Sequence, residues 1–290
     1  MSQAIAPEAV EKLFRAARAR LAEAGLPSPE LDASLLLEYA TGLTVLTRIT
    51  EPGRLVPAEK IERFEQCIER RLAREPVHRI TGEREFYGLP LKLTAATLVP
   101  RPDTETLVDL VLPFVRERVA ATGTCRILDI GTGTGAIALA LLSEVPEAVA
   151  IGLDISGEAC IVAETNARAN GLDSRFAALR SDWFEAVADR YDLIVSNPPY
   201  IRHADIETLE TDVRDHDPRT ALDGGGDGLD AYRVLAADSA PYLDENGAIA
   251  VEIGHDQRPD VTNLFEAAGF AKTAERNDYG GHIRALFFVK

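Results

Sequence analysis

The first part of the chain has apolar residues three to four positions apart, which is the spacing of helices with one buried face. Leu13, Ala17 and Leu21, for example, fall on one face of the first such segment. Gly- and Pro-containing breaks interrupt the pattern, so it predicts separate helices rather than one long helix. The predicted helices cover residues 7–24, 29–40 and 57–74. We therefore expect a small helical bundle over residues 1–75.

Beyond residue 75, short apolar runs alternate with helical segments. Residues 76–98 are predicted to be a connector, with a β-hairpin around Gly88-Leu89-Pro90. From residue 99 to 290 the alternation predicts an α/β domain with a Rossmann-like, mostly parallel sheet and helices on both faces. The predicted strands are residues 126–130, 148–153, 175–179, 191–196 and 283–289.

A glycine-rich segment follows the first of these strands and precedes a strongly helix-forming run. It consists of Gly131-Thr132-Gly133-Thr134-Gly135. Glycines let the backbone approach a ligand closely, so a strand, turn and helix of this kind predict nucleotide binding. The segment also fits the dinucleotide pattern, with Ala136 in the last place, and by itself leaves NAD open. Asp154, which follows the second strand, is placed to bind ribose hydroxyls in either case.

Acidic and aromatic residues nearby favour S-adenosylmethionine over NAD. Asp129 lies just before the glycines, where a carboxylate would repel a pyrophosphate but attract an ammonium group. Asp182 and Trp183 follow the third strand and are expected to contact an adenine by a hydrogen bond and a ring face. The structural alternatives are a helix N-terminal acid for Asp129 and core packing for Trp183.

The most informative segment is Asn197-Pro198-Pro199-Tyr200, which comes directly after the apolar run over residues 191–196. The two prolines end the strand and fix the backbone. The side-chain carbonyl of Asn197 and the backbone carbonyl of Pro198 are then two fixed acceptors beside the Tyr200 ring. This pair suits a planar NH2 group, so we expect Asn197, Pro198 and Tyr200 to act in catalysis. We expect the acceptor substrate to bind to all four residues: Asn197, Pro198, Pro199 and Tyr200. A strand-end turn is the alternative.

The net charge of −16 is unevenly distributed. Residues 76–290 carry 20 Lys and Arg against 35 Asp and Glu, which gives −15. An acidic surface repels phosphates, so we expect a protein partner and no direct contact with nucleic acid. The cysteines have no metal or redox spacing, and the sequence shows neither a signal-peptide pattern nor an apolar run of membrane-spanning length. These features predict a cytoplasmic protein that needs no membrane.

A long polar stretch over residues 202–228 follows the Asn-Pro-Pro-Tyr segment and is predicted to be a loop at the lip of the substrate site. Metal binding by its acids is the alternative, but their spacing lacks the ligand pattern of a calcium loop. We therefore expect no metal cofactor. The histidines are scattered and form no nucleophile motif with Ser or Cys, which argues against hydrolysis.

Several motifs together resemble the methyltransferases that modify the glutamine side-chain amide of peptide chain release factors. They are Phe86-Tyr87-Gly88-Leu89, Val99-Pro100-Arg101-Pro102-Asp103-Thr104-Glu105, the glycine loop, Ser181-Asp182-Trp183-Phe184, Ser196 to Ile201, Ala221-Leu222-Asp223-Gly224-Gly225 and Asp278-Tyr279-Gly280-Gly281. The glycine loop is common to many methyltransferases, whereas the segment from Arg101 to Glu105 is far more specific.

The resemblance implies a class I methyltransferase fold whose last strand is antiparallel. It implies that Gly131 to Gly135, Asp154, Trp183 and Asn197 bind S-adenosylmethionine, which is converted to S-adenosylhomocysteine, and that Asn197 to Tyr200 bind the glutamine. Release factors would then be the substrate of a monomeric enzyme, with the helical bundle recognising them. DNA or RNA amino-group methylation, which uses the same Pro-Pro-Tyr chemistry, and non-catalytic cofactor binding remain alternatives. The roles of Arg101, Asp103 and Glu105 stay open.

Overall fold

The computed structural model describes residues 6–290 and divides the chain into two compact units. The first unit ends at Gly82 and the second begins at Glu83. The helical unit therefore extends past the predicted limit at residue 75. The reason is a further short helix, Val77–Thr81, whose apolar side chains are buried in the core of this unit.

The first unit consists of short helices and one small ribbon. The helices are α1 (Val10–Glu23), α2 (Pro29–Thr41), α3 (Val45–Thr50), α4 (Ala58–Leu72) and α5 (Val77–Thr81), and the antiparallel ribbon joins β1 (Glu8–Ala9) to β2 (Leu55–Val56). Helices α1, α2 and α4 confirm the three predicted helices, and their apolar faces form one core. A buried ion pair between Arg71 and Asp32, 2.7 Å long, joins α4 to α2.

The predicted hairpin is present at the start of the second unit, as β3 (Glu83–Phe86) and β4 (Leu89–Lys92). Its turn is Tyr87-Gly88, one residue earlier than predicted. Both residues have positive φ, 52° and 77°, as a two-residue type I′ turn requires. The carboxylate of Glu105 accepts a hydrogen bond of 2.9 Å from the Tyr87 N–H and helps to hold Tyr87 in this unfavourable conformation.

Seven strands form the main sheet of the second unit. They are β5 (Cys125–Ile130), β6 (Ala148–Asp154), β7 (Phe176–Arg180), β8 (Tyr191–Ser196), β9 (Leu243–Glu252), β10 (Ala271–Asn277) and β11 (Ile283–Val289). Their order is β10-β11-β9-β8-β5-β6-β7. Within this sheet, as far as the chain is described, β11 alone runs opposite to the direction of the other six strands. The predicted Rossmann-like class I methyltransferase sheet is thus confirmed.

Helices cover both faces of the sheet. They are α6 (Glu105–Thr122), α7 (Ala136–Glu144), α8 (Gly157–Ala169), α10 (Asp230–Asp238) and α11 (Arg258–Ala267), while the short helix α9 (Thr211–Arg214) lies in the connection between β8 and β9. Alternate residues of β5 belong to different cores: Ile127 packs in the core that includes α6 and α7, and Leu128 in the core that includes α10 and α11. This alternation explains why the predicted strands are almost wholly apolar.

The topology places the functional segments together. Strand β5 pairs with β6 on one side and β8 on the other, so connections leave it in opposite directions and open a crevice at the carboxyl ends. The residues at or just beyond these ends are Gly131, Asp154, Ser181, Asn197 and Ile253. Among the described residues, no helix is both long enough and apolar enough to cross a membrane.

Candidate active site

A cavity of about 590 Å³ lies in the crevice at the carboxyl edge of the sheet. This volume is in the range of small-molecule sites. Nine of the predicted site residues line it: Gly131, Thr132, Gly133, Thr134, Asp154, Asp182, Trp183, Asn197 and Pro199. Four others do not line it: Asp129, Gly135, Pro198 and Tyr200. The structure therefore brings together most of the residues that the sequence indicated.

The glycine loop is held by hydrogen bonds to its own surroundings. The N–H groups of Gly131 and Thr132 both donate to the Leu153 carbonyl at 2.8 Å. The N–H of Gly133 donates to Asp154 Oδ2 at 2.9 Å, and the N–H of the last loop glycine donates to the Thr132 carbonyl at 2.8 Å. All three glycines have positive φ, between 55° and 83°. Four of the five loop N–H groups are thus already used within the protein.

Asp129 differs from expectation, because it is fully buried instead of lining the cavity. Its Oδ2 accepts hydrogen bonds from Thr132 Oγ1 at 2.8 Å and from the Ala138 N–H at 3.3 Å, which ties the loop to the start of α7. Its Oδ1 has no hydrogen-bond partner among the described residues. Burial raises the pKa of Asp129 to about 7. Gly152 makes room for this arrangement, since a Cβ there would lie 2.6 Å from Thr132 Oγ1.

Asp154 ends β6 on the cavity wall, as predicted. Its Oδ2 accepts the Gly133 N–H, and its Oδ1 accepts the Ser156 N–H at 2.9 Å. Burial raises the pKa of this carboxyl, and the two backbone donors act against that rise. Each oxygen keeps a further lone pair for a ligand hydroxyl.

Trp183 lies on the cavity wall with its backbone in the left-handed region, at a φ of 46°. Ser181 supports this strained turn, because its hydroxyl donates to the Trp183 carbonyl at 2.8 Å and accepts the Ala186 N–H at 3.0 Å. Such strain is concentrated at functional sites. The Trp183 side chain also packs against the apolar core, so the two roles considered for it are compatible, while Asp182 is exposed at the rim.

The Asn197 side chain has a defined orientation. Its Nδ2 donates a hydrogen bond of 3.1 Å to Thr104 Oγ1, and no residue of the described chain donates to its Oδ1. The Pro198 carbonyl likewise accepts no hydrogen bond from the described residues. The two acceptors expected from the sequence are therefore available, although the Pro198 side chain is buried and only Pro199 lines the cavity.

Tyr200 is partly buried and is not among the residues that line the cavity. Its ring packs against the apolar core, and its hydroxyl donates to Glu252 Oε1 at 3.3 Å. The neighbouring backbone is covered so closely that a Cβ on Gly224 would lie 2.8 Å from the Pro199 carbonyl oxygen and from the Tyr200 Cα. Tyr200 thus packs against the core beside the Asn-Pro-Pro segment, and its contact with the substrate stays a prediction.

Residues 202–228 are better ordered than a structureless loop. They contain 3-10 turns at His203–Thr208 and Arg219–Ala221 and the short helix α9. An isolated bridge pairs Ile201 with Asp223, and Arg219 to Ala221 contribute to the cavity wall, as expected for a lip. Across the described chain, no group of three or more His, Cys, Asp or Glu side chains is placed to hold a metal ion.

The segment from Arg101 to Glu105 joins several parts of the site. Arg101 lines the cavity and forms an ion pair of 2.7 Å with Asp217 of the lip, whereas Glu105 supports the hairpin turn. Between them, Thr104 contacts Asn197. From the sequence, Thr104 was indicated only as part of a motif, and Glu252 was not indicated at all. The only available signal for Glu252 was an acid directly after a buried apolar run, as at Asp154.

Two family models match the chain, one in each of its two units. The family model described as PrmC N-terminal domain matches residues 12–82, and the one described as Methyltransferase small domain matches residues 108–227. Among solved structures, the hMettl16 catalytic domain in complex with MAT2A 3'UTR hairpin 6 has a TM-score of 0.55 at 17% identity and covers 81% of this chain and 84% of its own. A methyltransferase from Pyrococcus furiosus has a TM-score of 0.52 at 17% identity and covers 70% and 89%. These two likenesses concern the fold alone.

Two sequence relatives are much more similar. The release factor glutamine methyltransferase of Agrobacterium fabrum is 52% identical over 94% of this chain and 94% of its own length. The protein of the same name from Caulobacter vibrioides is 44% identical over 96% of each. Sequence identity at this level over nearly the whole length of both chains indicates a common family and not only a common fold. The chain belongs to the release factor glutamine methyltransferase family.

Proposed function

We propose that this protein transfers a methyl group from S-adenosylmethionine to the side-chain amide nitrogen of glutamine in the Gly-Gly-Gln loop of peptide chain release factors. The observation that carries the proposal is the orientation of Asn197. Because its Nδ2 is bound to Thr104, its Oδ1 is left, with the Pro198 carbonyl, as an acceptor. A primary amide has two N–H donors on one planar nitrogen, which matches this pair. Membership of the family supports glutamine as the source of that amide.

The glycine loop supports S-adenosylmethionine over a dinucleotide. Dinucleotide sites bind pyrophosphate with free backbone N–H groups at the start of a helix. Here Gly131, Thr132, Gly133 and Gly135 donate to acceptors of the protein itself. Few donors therefore remain for a pyrophosphate, while the acidic surroundings of the loop suit a cationic ligand.

The residues present fit S-adenosylmethionine. Asp154 has lone pairs for ribose hydroxyls, and Trp183 and Asp182, which line the same cavity, would contact the adenine ring and its polar edge. Asp129 has one buried oxygen without a partner and a pKa raised to about 7. A cation in the cavity would favour its charged form. The sulfonium supplies an electrophilic methyl group when the cofactor is bound.

The chain itself contributes alignment. Asn197 Oδ1 and the Pro198 carbonyl would accept the two N–H bonds of the substrate amide and hold its nitrogen at the reacting position. Positive charge develops on that nitrogen during transfer, so both acceptors bind the transition state more strongly than the ground state. The fixed φ of the two prolines keeps the acceptors in place. Loss of one proton to water then restores the amide.

The charge of the chain supports a protein loop as substrate. The −15 carried by residues 76–290 disfavours a phosphate backbone. A glutamine that follows two glycines has little side-chain bulk beside it and fits a narrow cleft. An adenine amino group would fit the same two acceptors, so the experiment must distinguish methylation of a release factor from methylation of DNA or RNA.

The first unit is assigned to recognition of the substrate protein. Of its described residues, 6–82, none is among those that line the cavity. Its helix α3 has no buried residue and exposes Leu46 and Ile49 to 69% and 66%, three positions apart on one face. We take this exposed apolar pair as the part of the first unit that contacts the substrate protein.

Cofactor binding can be followed through Trp183, which is the single tryptophan of the chain. We expect a saturable change in its fluorescence on titration with S-adenosylmethionine or S-adenosylhomocysteine, because an adenine would stack on or near the ring. Titration with NAD should leave the signal unchanged, and the variant Trp183→Phe should show no signal. Saturation by NAD at lower concentration than by S-adenosylmethionine would contradict the cofactor assignment.

The substrate is tested with labelled cofactor and an intact release factor. We expect label on the native factor and none on a variant with the glutamine of the Gly-Gly-Gln loop replaced by alanine, with mass mapping placing the methyl group on that glutamine. A short Gly-Gly-Gln peptide should be methylated with lower kcat/KM, since it lacks the surface for the first unit. Equal labelling of both factors, or preferential labelling of DNA or RNA, would exclude the proposal.

The role of Asn197 is tested by Asn197→Ala. Removing one acceptor that acts in the transition state should lower turnover roughly 10²-fold or more, as for the loss of one donor in an oxyanion hole. Thermal unfolding should change little, because the residue lies at the end of β8. Asn263→Ala, an exposed position in α11, is the matched control and should keep full turnover. Near-normal turnover of Asn197→Ala would refute the alignment role.

A further inference from the structure

Glu252, the last residue of β9, is a buried carboxyl group to which the proposed reaction assigns no role. Its side chain is in the interior, with the residue 1% exposed. Burial of a carboxyl group is unfavourable unless its oxygens are paired. Its position at the carboxyl edge of the sheet, beside the Asn-Pro-Pro-Tyr segment, suggests that the site benefits from it.

The contacts of Glu252 lead to the acceptor site. Its Oε1 accepts the hydrogen bond from the Tyr200 hydroxyl, and its backbone carbonyl accepts one of 2.9 Å from the Tyr232 hydroxyl. Its Oε2 has no hydrogen-bond partner of good geometry among the described residues. Thr104 and Glu252 both contact the Asn197 to Tyr200 segment, Thr104 at Asn197 and Glu252 at Tyr200, and the Thr104 side chain is among the groups that lower the pKa of Glu252.

The hydrogen-bonding capacity of Thr104 connects the two residues. Its oxygen accepts from Asn197 Nδ2, so its single proton is left for another acceptor. Glu252 is the nearby acceptor with an unused oxygen. An ionised carboxylate can only accept, so a hydrogen bond from the Thr104 hydroxyl to Glu252 would give one direction of donation, from Asn197 to Thr104 to Glu252. With its NH2 group held at that end, Asn197 has its carbonyl oxygen left for a ligand.

We propose that Glu252 is a positioning residue that, through Thr104 and Tyr200, fixes the Asn197 amide with its oxygen available to the substrate and holds the Asn-Pro-Pro segment in place. The inference rests on the proposed function, because the substrate amide is the group that needs this oxygen. If Glu252 were neutral, it could donate to Thr104. The Thr104 hydroxyl could then donate to Asn197, whose amide would turn its NH2 group toward the substrate.

The protonation state of Glu252 follows from its surroundings. Burial raises its pKa to about 7, whereas Thr104, the Arg284 guanidinium and the Tyr200 hydroxyl lower it and the charge of Asp103 raises it. The nearby hydroxyls of Tyr200 and Tyr232 have pKa values raised by burial, so both remain protonated donors. Glu252 thus gains its charge as the pH rises through about 7, and methyl transfer should increase over the same range.

The test compares isosteric variants in a methyl-transfer assay on a release factor, with kcat and KM measured from about pH 6 to about pH 8.5. Thr104→Val removes the hydroxyl, and Glu252→Gln places an NH2 group in the network. Both should lower kcat about ten- to a hundredfold, as for outer partners that orient a ligand, with little change in KM. Thr104→Ser should restore kcat, and Glu252→Gln should lose the rise in kcat near pH 7. Glu245→Gln, at an exposed position of β9, is the matched control and should behave as the native protein.

The outcomes separate this inference from the proposed function. If the native protein methylates the release factor and Thr104→Val and Glu252→Gln keep its kcat and pH profile, the positioning role is wrong and the function stands. If the native protein methylates no release factor, the function is wrong, and the network is judged by the side-chain 15N resonance of Asn197. A shift of that resonance near pH 7 in the native protein, absent in Glu252→Gln, supports the network. No shift in the native protein overturns it.

Discussion

The site depends on the hydrogen bond from Asn197 Nδ2 to Thr104 Oγ1. An asparagine amide is nearly symmetric in shape, and its two ends differ only in donating or accepting. This one bond decides that the oxygen is the end left for a ligand. It also joins two distant segments, since Thr104 lies at the start of α6 and Asn197 at the end of β8. The two prolines after Asn197, and the close packing of Gly224 against the Pro199 carbonyl and the Tyr200 Cα, restrain the backbone that follows Asn197.

The rest of the cavity follows from a second constraint, which is the use of backbone donors within the glycine loop. The loop N–H groups bind Leu153, Asp154 and the loop itself. The loop is therefore shaped by the sheet, and it has few donors to offer an anion. Two acids, Asp129 and Asp154, lie beside it, and burial raises the pKa of both carboxyl groups. A cationic cofactor suits such a cavity better than a pyrophosphate.

Much of this structure was predictable because its signals are local. Strands such as β8 are apolar runs ended by turn residues, and the glycine loop and the acceptor pair of Asn197 and Pro198 lie within a few residues of a strand end. How deeply a residue is buried depends on the whole fold and not on the neighbouring sequence. Asp129 was therefore expected at the ligand, whereas in the structure it is fully buried and does not line the cavity. The hydrogen bonds from Asn197 to Thr104 and from Tyr200 to Glu252 join residues far apart in the chain, and no spacing rule could connect them. The hairpin turn lies one residue earlier than predicted. A positive φ is unfavourable for a tyrosine, and the hydrogen bond from Tyr87 to Glu105 that supports it joins residues 18 positions apart.

The central claim is tested most directly by a crystal structure of the protein with S-adenosylhomocysteine and an intact release factor. The account predicts that the glutamine amide nitrogen lies within about 3 Å of both Asn197 Oδ1 and the Pro198 carbonyl oxygen, with Asn197 Nδ2 still bound to Thr104. A glutamine whose carbonyl oxygen instead faces Asn197 Nδ2, with the bond to Thr104 broken, would contradict it.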